Sequence, residues 1–295
     1  MLRKTADVRT LAYLAFTAGL SIVQWRIGHL VWPLYVLSLL MAVSVAVISH
    51  NHNHISIWKS KPLNLLTSYV ISLYYGHPAI AWVPTHNQIH HKLNNKEGDS
   101  SRSPKIFKGN HLLSLLVYPT ATGIVQQQDI KAFFRDLYKR NRKAWYMAIS
   151  EYVVFFGVMA GLFLLDWRKA LLYFFIPQQF ALFVIQVFNY VQHVEADAES
   201  PWNHSRNFVS PLLNAFLFNN GYHTVHHMTP GLHWSVTPEA HEKVKDKIHP
   251  ALNEPSYFGY MFKTFLLRPF TGSRAPDLRG TAAKPMPDLT PAAAE

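Results

Sequence analysis

Histidine carries the chemistry of this chain. Four short stretches hold side chains at spacings that bring them together: His50-Asn51-His52-Asn53-His54, His86-Asn87-Gln88-Ile89-His90-His91, Asn189-Tyr190-Val191-Gln192-His193 and His223-Thr224-Val225-His226-His227. Neutral imidazole is the commonest protein ligand for transition metals and suits iron, zinc, copper and nickel. Residues four apart on a helix share a face, with Cβ atoms ~5–6 Å apart. His50 therefore converges with His54, His86 with His90, His223 with His227 and Asn189 with His193. His52 lies roughly 200° round the helix from its two neighbours and reads as a surface or supporting residue. One zinc ion takes about four ligands, so the nine histidines of His50, His54, His86, His90, His91, His193, His223, His226 and His227 are too many for one ion. Two ions with four or five imidazoles each is the economical reading. A single histidine beside apolar sequence is usually a hydrogen-bonded core residue, and a contiguous tract is a loose metal-binding tail. Clusters spread from residue 50 to residue 227 are neither, and they require a folded site.

The elements that must position them are membrane-length helices. Residues 30–49, 170–191 and most of 144–165 are apolar runs, each near the ~20 residues that cross ~30 Å of hydrocarbon. Residues 11–25 form a shorter run that spans if it recruits its flanks. The expected fold is all-α: a multi-pass membrane bundle of about four transmembrane helices in two hairpins, at about 10–26, 30–50, 144–166 and 169–191. Cytoplasmic and interfacial helices would form a histidine-rich cap for two metals. Gly28-His29 makes the first reversal, with His29 an interfacial residue, and 166–169 makes the second. Residues 63–83 carry no charge and are long enough to span, yet spanning would put histidine clusters on opposite sides. They are expected to lie in the interface or re-enter, aided by His77-Pro78. Glu151 falls inside a span and is a functional suspect, with a local basic partner as the competing reading. Pro177 is expected to kink the last span, and Gln186 and Asn189 to face the bundle.

At 295 residues, with 49% apolar and 14% aromatic, composition alone leaves a soluble domain possible; the distribution of the apolar runs decides for the membrane. The absence of cysteine excludes disulfides, thiolate nucleophiles, iron–sulfur clusters and Cys-type zinc sites. No cleavable signal-peptide pattern, internal repeat or dinucleotide fingerprint is found. The net charge of +11 suits a membrane surface better than nucleic acid. Residues 51–143 hold 13 Lys/Arg against four Asp/Glu. By the positive-inside tendency this segment and the histidines are cytoplasmic, at the cell inner membrane if the source is bacterial. Within it, 112–125 reads as an interfacial helix and 131–143 as a separate polar helix able to dock an acidic redox partner. Further on, 207–218 reads as interfacial, 238–248 as a charged helix, 257–270 as returning to the membrane surface and 271–295 as a disordered tail. The first 270 residues form one membrane domain.

Taken together, the motifs resemble the integral-membrane fatty acid desaturase and hydroxylase superfamily. Its pattern of His-x(3–4)-His and two His-x(2–3)-His-His stretches, set between membrane hairpins, is met by His50/His54, His86/His90/His91 and His223/His226/His227. Asn189-x3-His193 is similar to the extra ligand pair at the end of the family's fourth helix. The likeness runs from about residue 10 to 270. It implies a non-haem di-iron site that activates O2 with two electrons, the nine histidines binding iron and Asn189 joining the metal set by orienting or holding a water. No catalytic side chain beyond the metal centre is implied. The expected reaction is desaturation of a fatty acyl chain in a lipid or thioester. A long apolar slot lined by Phe, Tyr and Trp would set the register of that chain. One departure is the extra His52. Another is the lack of a fused cytochrome b5, because His77-Pro78 is followed by Ala79-Ile80 and not by a haem-binding Gly-Gly. The electron donor is then a separate ferredoxin, or a cytochrome with its reductase.

Two alternatives share or contest the site. Hydroxylation of a lipid or another hydrophobic substrate uses the same metals, and histidine spacing does not distinguish it. A membrane metal transporter or metal-binding protein would place ligands mid-membrane along a path, whereas these clusters sit at helix ends and in polar loops. No His-Glu-x-x-His is present to suggest a zinc protease.

Overall fold

The computed structural model of the chain describes residues 1–103, 107, 109–272 and 276–281. Helix α1 (Asp7–Ile27) stops at Gly28, whose φ of 75° lets its N–H reach back to the Gln24 carbonyl. Pro33 then occupies the first turn of α2 (Trp32–His54), where a missing N–H is harmless. α2 is the central rod, with Val45, Ala46 and Val47 wholly buried.

α1 is built inside out. Thr10, Thr17, Ser21 and Gln24 are buried, while Phe16, Ile22 and Val23 stand exposed. Gln24 Nε2 donates to Ser38 Oγ of α2 over 2.6 Å. A helix facing water would bury its apolar stripe. Polar groups inward and apolar groups outward is the arrangement of a helix facing lipid, with hydrogen bonds holding it to its neighbours.

α3 (Lys61–Tyr75) packs along α2 and stops at Gly76. Gly76 has φ 92°, and a Cβ there would come within 2.5 Å of Gln178 Cβ, so glycine is required twice over. The chain turns at His77-Pro78 and returns through a π-helical segment, Val83–His90, continued by α4 (His91–Leu93). Residues 63–83 thus form an inward helix and the start of an outward return. The return brings the His86 ring to 4.5 Å from His50, at the end of α2. Glu151, buried on the next long hairpin, has no basic partner and joins neither histidine group among the described residues. Its Oε2 accepts the Ile80 N–H over 2.8 Å and so braces the return.

α5 (Leu112–Arg140) and α6 (Arg142–Ala170) fold against each other at Asn141, whose Oδ1 accepts the Ala144 N–H. The expected boundary between an interfacial helix and a polar one is absent. Gln126-Gln127-Gln128-Asp129-Ile130 contains no helix breaker, so one helix runs through. α6 loses helical dihedrals at Asp166 (φ −161°, ψ 97°). A π-helical turn, Leu171–Phe175, closed by the Ile176 N–H donating to the Leu171 carbonyl, then leads into α7 (Ile176–His193), and this widened turn accommodates Pro177, which has no N–H to donate. Gln178 Nε2 donates to Met159 Sδ over 3.3 Å and the Phe163 and Phe175 rings lie 6.4 Å apart, so α6 and α7 are antiparallel.

Trp32–His54 and Arg142–His193 are long and apolar enough to cross a membrane, each with mean hydropathy 2.0, and the second doubles back at Asp166. α1 does not reach that apolarity because of its polar inner face. Lys169 Nζ stands 5.7 Å from the Trp25 ring centroid, so both hairpin tips lie at one end of the bundle. The histidine-bearing ends of α2 and α7 lie at the other. Beyond α7, helices α8 (Pro211–Phe216) and α9 (His223–Met228) cover that end, and Asn207–Phe208 pairs in parallel with Asn253–Glu254. After Thr271, Leu278 is buried with Ala196, Ile248 and Leu252, and its N–H donates to the Glu195 carbonyl over 2.9 Å. The rest of the expected tail, 282–295, lies outside the described residues.

Candidate metal centre

Four elements deliver imidazoles to one place: the last turn of α2, the return segment with α4, the end of α7, and α9. They form two groups. His50, His54, His86 and His226 make one, and His90, His193, His223 and His227 the other, with the ligand-capable atoms of each within 4.8 Å of one another. His91 joins the first group, its Nε2 lying 3.0 Å from both His86 Nε2 and His226 Nε2. Its ring stacks on His227 of the second group at 4.4 Å, so the two groups adjoin.

In the neutral state, two of these rings turn a lone pair inward. His90 Nδ1 lies 2.7 Å from Asp99 Oδ2, and His193 Nδ1 lies 3.2 Å from the His204 carbonyl oxygen. Both partners are acceptors, so in each ring the proton sits on Nδ1 and Nε2 carries a lone pair. Yet those two Nε2 atoms face each other at 3.1 Å. His193 Nε2 also lies 2.9 Å from His223 Nε2, and His50 Nε2 lies 3.0 Å from His226 Nε2. Where both atoms of a pair carry a lone pair, this separation is repulsive unless a cation lies between them. Edges near 3 Å are what imidazoles make around a shared ion with metal–nitrogen bonds of ~2.0–2.1 Å. Burial first, then the neighbouring imidazoles, holds His86, His223, His226 and His227 well below the usual histidine range. The rings are therefore neutral ligands at physiological pH. His54 Nε2, buried in the first group, has no hydrogen-bond partner among the described residues. The donor set fits transition-metal ions.

Residues that sequence reasoning passed over hold the rings in place. Burial alone would raise the Asp99 carboxyl, but His90 and the N–H groups of Ser101 and Asn95 keep it at about 2, so it is a permanent acceptor. A carboxylate behind a ligating histidine fixes tautomer and ring direction. Arg206, among the most buried side chains, donates from Nη1 to the carbonyls of Val191 (2.6 Å) and Val194 (3.1 Å). It thereby satisfies the open end of α7 on either side of His193. Glu97-Gly98-Asp99, just past the second cluster, was the only available sequence signal for Asp99; nothing local marked Arg206.

Asn189 lies one helical turn before His193 and lines a cavity beside the centre. Its Nδ2 donates to the Tyr118 hydroxyl over 2.8 Å, and Tyr118 donates to the Ser101 carbonyl. His52 stays apart, its Nδ1 accepting the Ile57 N–H over 3.3 Å. The cavity has a volume of about 460 Å³. Trp82 and His86 line one side of it, and residues of α5 and α7, Asn189 among them, line the other. Trp82 meets the edges of both His50 and His86, at 5.2 and 5.0 Å. Tyr75, Trp82 and Phe183 line the cavity among the aromatic residues, and Gln126, Gln127, Gln179 and Gln186 add polar groups to the wall.

A helical bundle with a lipid-facing belt and a buried two-part histidine centre defines a membrane metalloprotein. Residues 28–257 match the family model described as fatty acid desaturase. The chain belongs to the fatty acid desaturase family, whose members are membrane-bound oxidoreductases, and is an enzyme of that kind. Comparison with curated proteins and with solved structures gave no match.

Proposed function

We propose that the chain catalyses O2-dependent desaturation of a fatty acyl chain at a non-haem di-iron centre, with His50, His54, His86, His91 and His226 around one iron and His90, His193, His223 and His227 around the other. The convergence of nine imidazoles into two adjoining buried groups, with the Nε2 atoms of His90 and His193 face to face, carries this reading, because such a donor set fits two metal ions. The iron pair, when bound, supplies activation of O2. In balance, two hydrogens leave adjacent carbons of the substrate and two electrons with two protons come from a donor, and together they reduce one O2 to two waters.

The chain's own residues do the rest. Asp99 and the His204 carbonyl hold the lone pairs inward. Tyr118 engages the Asn189 amide N–H, which leaves Asn189 Oδ1 to accept a hydrogen bond from a water beside the cavity. Trp82 packs water out from behind His50 and His86. The basic balance of 51–143 supports a cytoplasmic position for the centre. The exposed corner of Lys139, Arg140, Arg142 and Lys143 supports docking of an acidic, separate electron donor.

The same centre would serve hydroxylation of a lipid, a reaction the family also contains, and the product separates the two. Expression in a host of known lipid profile, followed by mass spectrometry, is expected to show a lipid short of two hydrogens; a lipid with one added oxygen would select hydroxylation. His90→Ala and His227→Ala are expected to abolish the product and to reduce iron from about two per chain. A purified chain that holds no iron and consumes no O2 refutes the reading.

A further inference from the structure

The α5–α7 wall of the cavity carries a connected row of polar groups. Gln186 Nε2 donates to Gln126 Oε1 over 3.3 Å, and Gln126 Nε2 donates to Ser101 Oγ over 3.0 Å. Tyr118 donates to the carbonyl of the same Ser101 and accepts from Asn189. The row thus runs from Gln186 to Asn189, one helical turn before His193. Every one of these residues except Tyr118 lines the cavity.

An unadorned alkyl chain pressed against this wall would strip water from the amides and return no hydrogen bond, which is unfavourable for each group buried. The amides hold each other with only part of their capacity. Each glutamine has two N–H donors and a carbonyl oxygen with two lone pairs. Gln186 Oε1 makes no bond among the described residues, nor does the second N–H of Gln126. Apolar groups also line the cavity. Among them, Leu182 and the half-exposed Phe183 lead outward to the lipid-facing side of α7.

We propose that the substrate carries a hydrogen-bonding group (a hydroxyl, an amide or an acyl carbonyl) that seats on Gln126 and Gln186 while its apolar remainder leaves past Leu182 and Phe183. The carbon oxidised then lies a few bonds from that polar group and not in the middle of a featureless chain. This rests on the di-iron oxidase reading and adds to it where on the molecule the reaction falls. The cavity's modest volume agrees, since about 460 Å³ lies within the ~300–1,000 Å³ of ordinary small-molecule sites.

The test reads position and binding separately. Product lipids from the expressing host are fragmented to locate the new double bond or oxygen. The expected position is within a few carbons of a hydroxyl, amide or carbonyl. Gln126→Leu and Gln186→Leu are expected to lower yield per folded protein about tenfold, the loss of one or two hydrogen bonds. A mid-chain product in an unsubstituted saturated chain, or unchanged yield in both variants, overturns the proposal while leaving the oxidase reading intact. Binding to the purified full chain in nanodiscs decides without turnover. Dodecanamide is expected to raise Tm more than dodecane, and both leucine variants are expected to erase the difference. Equal shifts for the two probes in the wild type also overturn it.

Discussion

Asp99 shows how much of the site hangs on one carboxylate. It holds the imidazole of His90 and is itself anchored by backbone N–H groups of Asn95 and Ser101. Asp99→Asn should keep the fold and weaken metal affinity by about 10–100-fold, the usual cost of losing such a partner; iron retained against a graded chelator measures it. Asp7 is the second buried carboxylate worth testing. Burial would raise its pKa, but hydrogen bonds from His233, Trp234 and Thr10 outweigh that and lower it. Because the folded value lies below the ordinary ~3.9, its stabilisation is fully present above about pH 4 and is lost as pH falls through the lower folded value. Asp7→Ala should therefore cost about 1–3 kcal/mol at pH 7 through the donors left unpaired. The Tm gap to wild type should close below about pH 4. At this scale the sequence was informative where the signal is local. Imidazoles four apart on one helix announce themselves, and all nine converge. Asp99 and Arg206 were invisible because their partners come from tertiary contact: Arg206 finds its carbonyls on α7 only after the chain has left that helix and returned.

Among the elements, the return from α3 to α4 is the most constrained. It carries three of the nine histidines and pivots on Gly76, whose absent side chain makes room for Gln178. Gly76→Ala adds a disfavoured left-handed alanine, ~1–2 kcal/mol, to overpacking of ~1–3 kcal/mol. The expected loss is about 3 kcal/mol in denaturant or thermal unfolding, with iron content falling alongside because His86, His90 and His91 shift together. The two hairpins were legible from run length and from Gly28 and the 166–169 charges. The continuity of α5 was not, since its polarity changes at Gln126 while its helical propensity does not. A change of polarity was read there as a change of element. Conversely, the apolar sequence 63–83 held a turn, because proline and glycine at 76–78 interrupt a run that hydropathy alone would extend.

For the molecule as a whole, the prediction concerns which end is which. Both hairpin tips share one end of the bundle and the basic α5–α6 corner belongs to the other part of the chain, so one membrane-impermeant thiol reagent should separate them. The lack of native cysteine makes the experiment clean. His29→Cys and Arg168→Cys should label from the same side of sealed vesicles, and Lys139→Cys only from the opposite side. Labelling of His29→Cys and Lys139→Cys from one side would contradict the topology. The histidine cluster has a further consequence for the life of the chain. Segments from both halves bring nine imidazoles into one buried cluster, so any cation the cluster binds adds its binding free energy to that of folding. A chain denied its metal ions is then expected to be more open and more protease-sensitive than a loaded one, so metal supply would govern how many copies survive as well as how fast each one works.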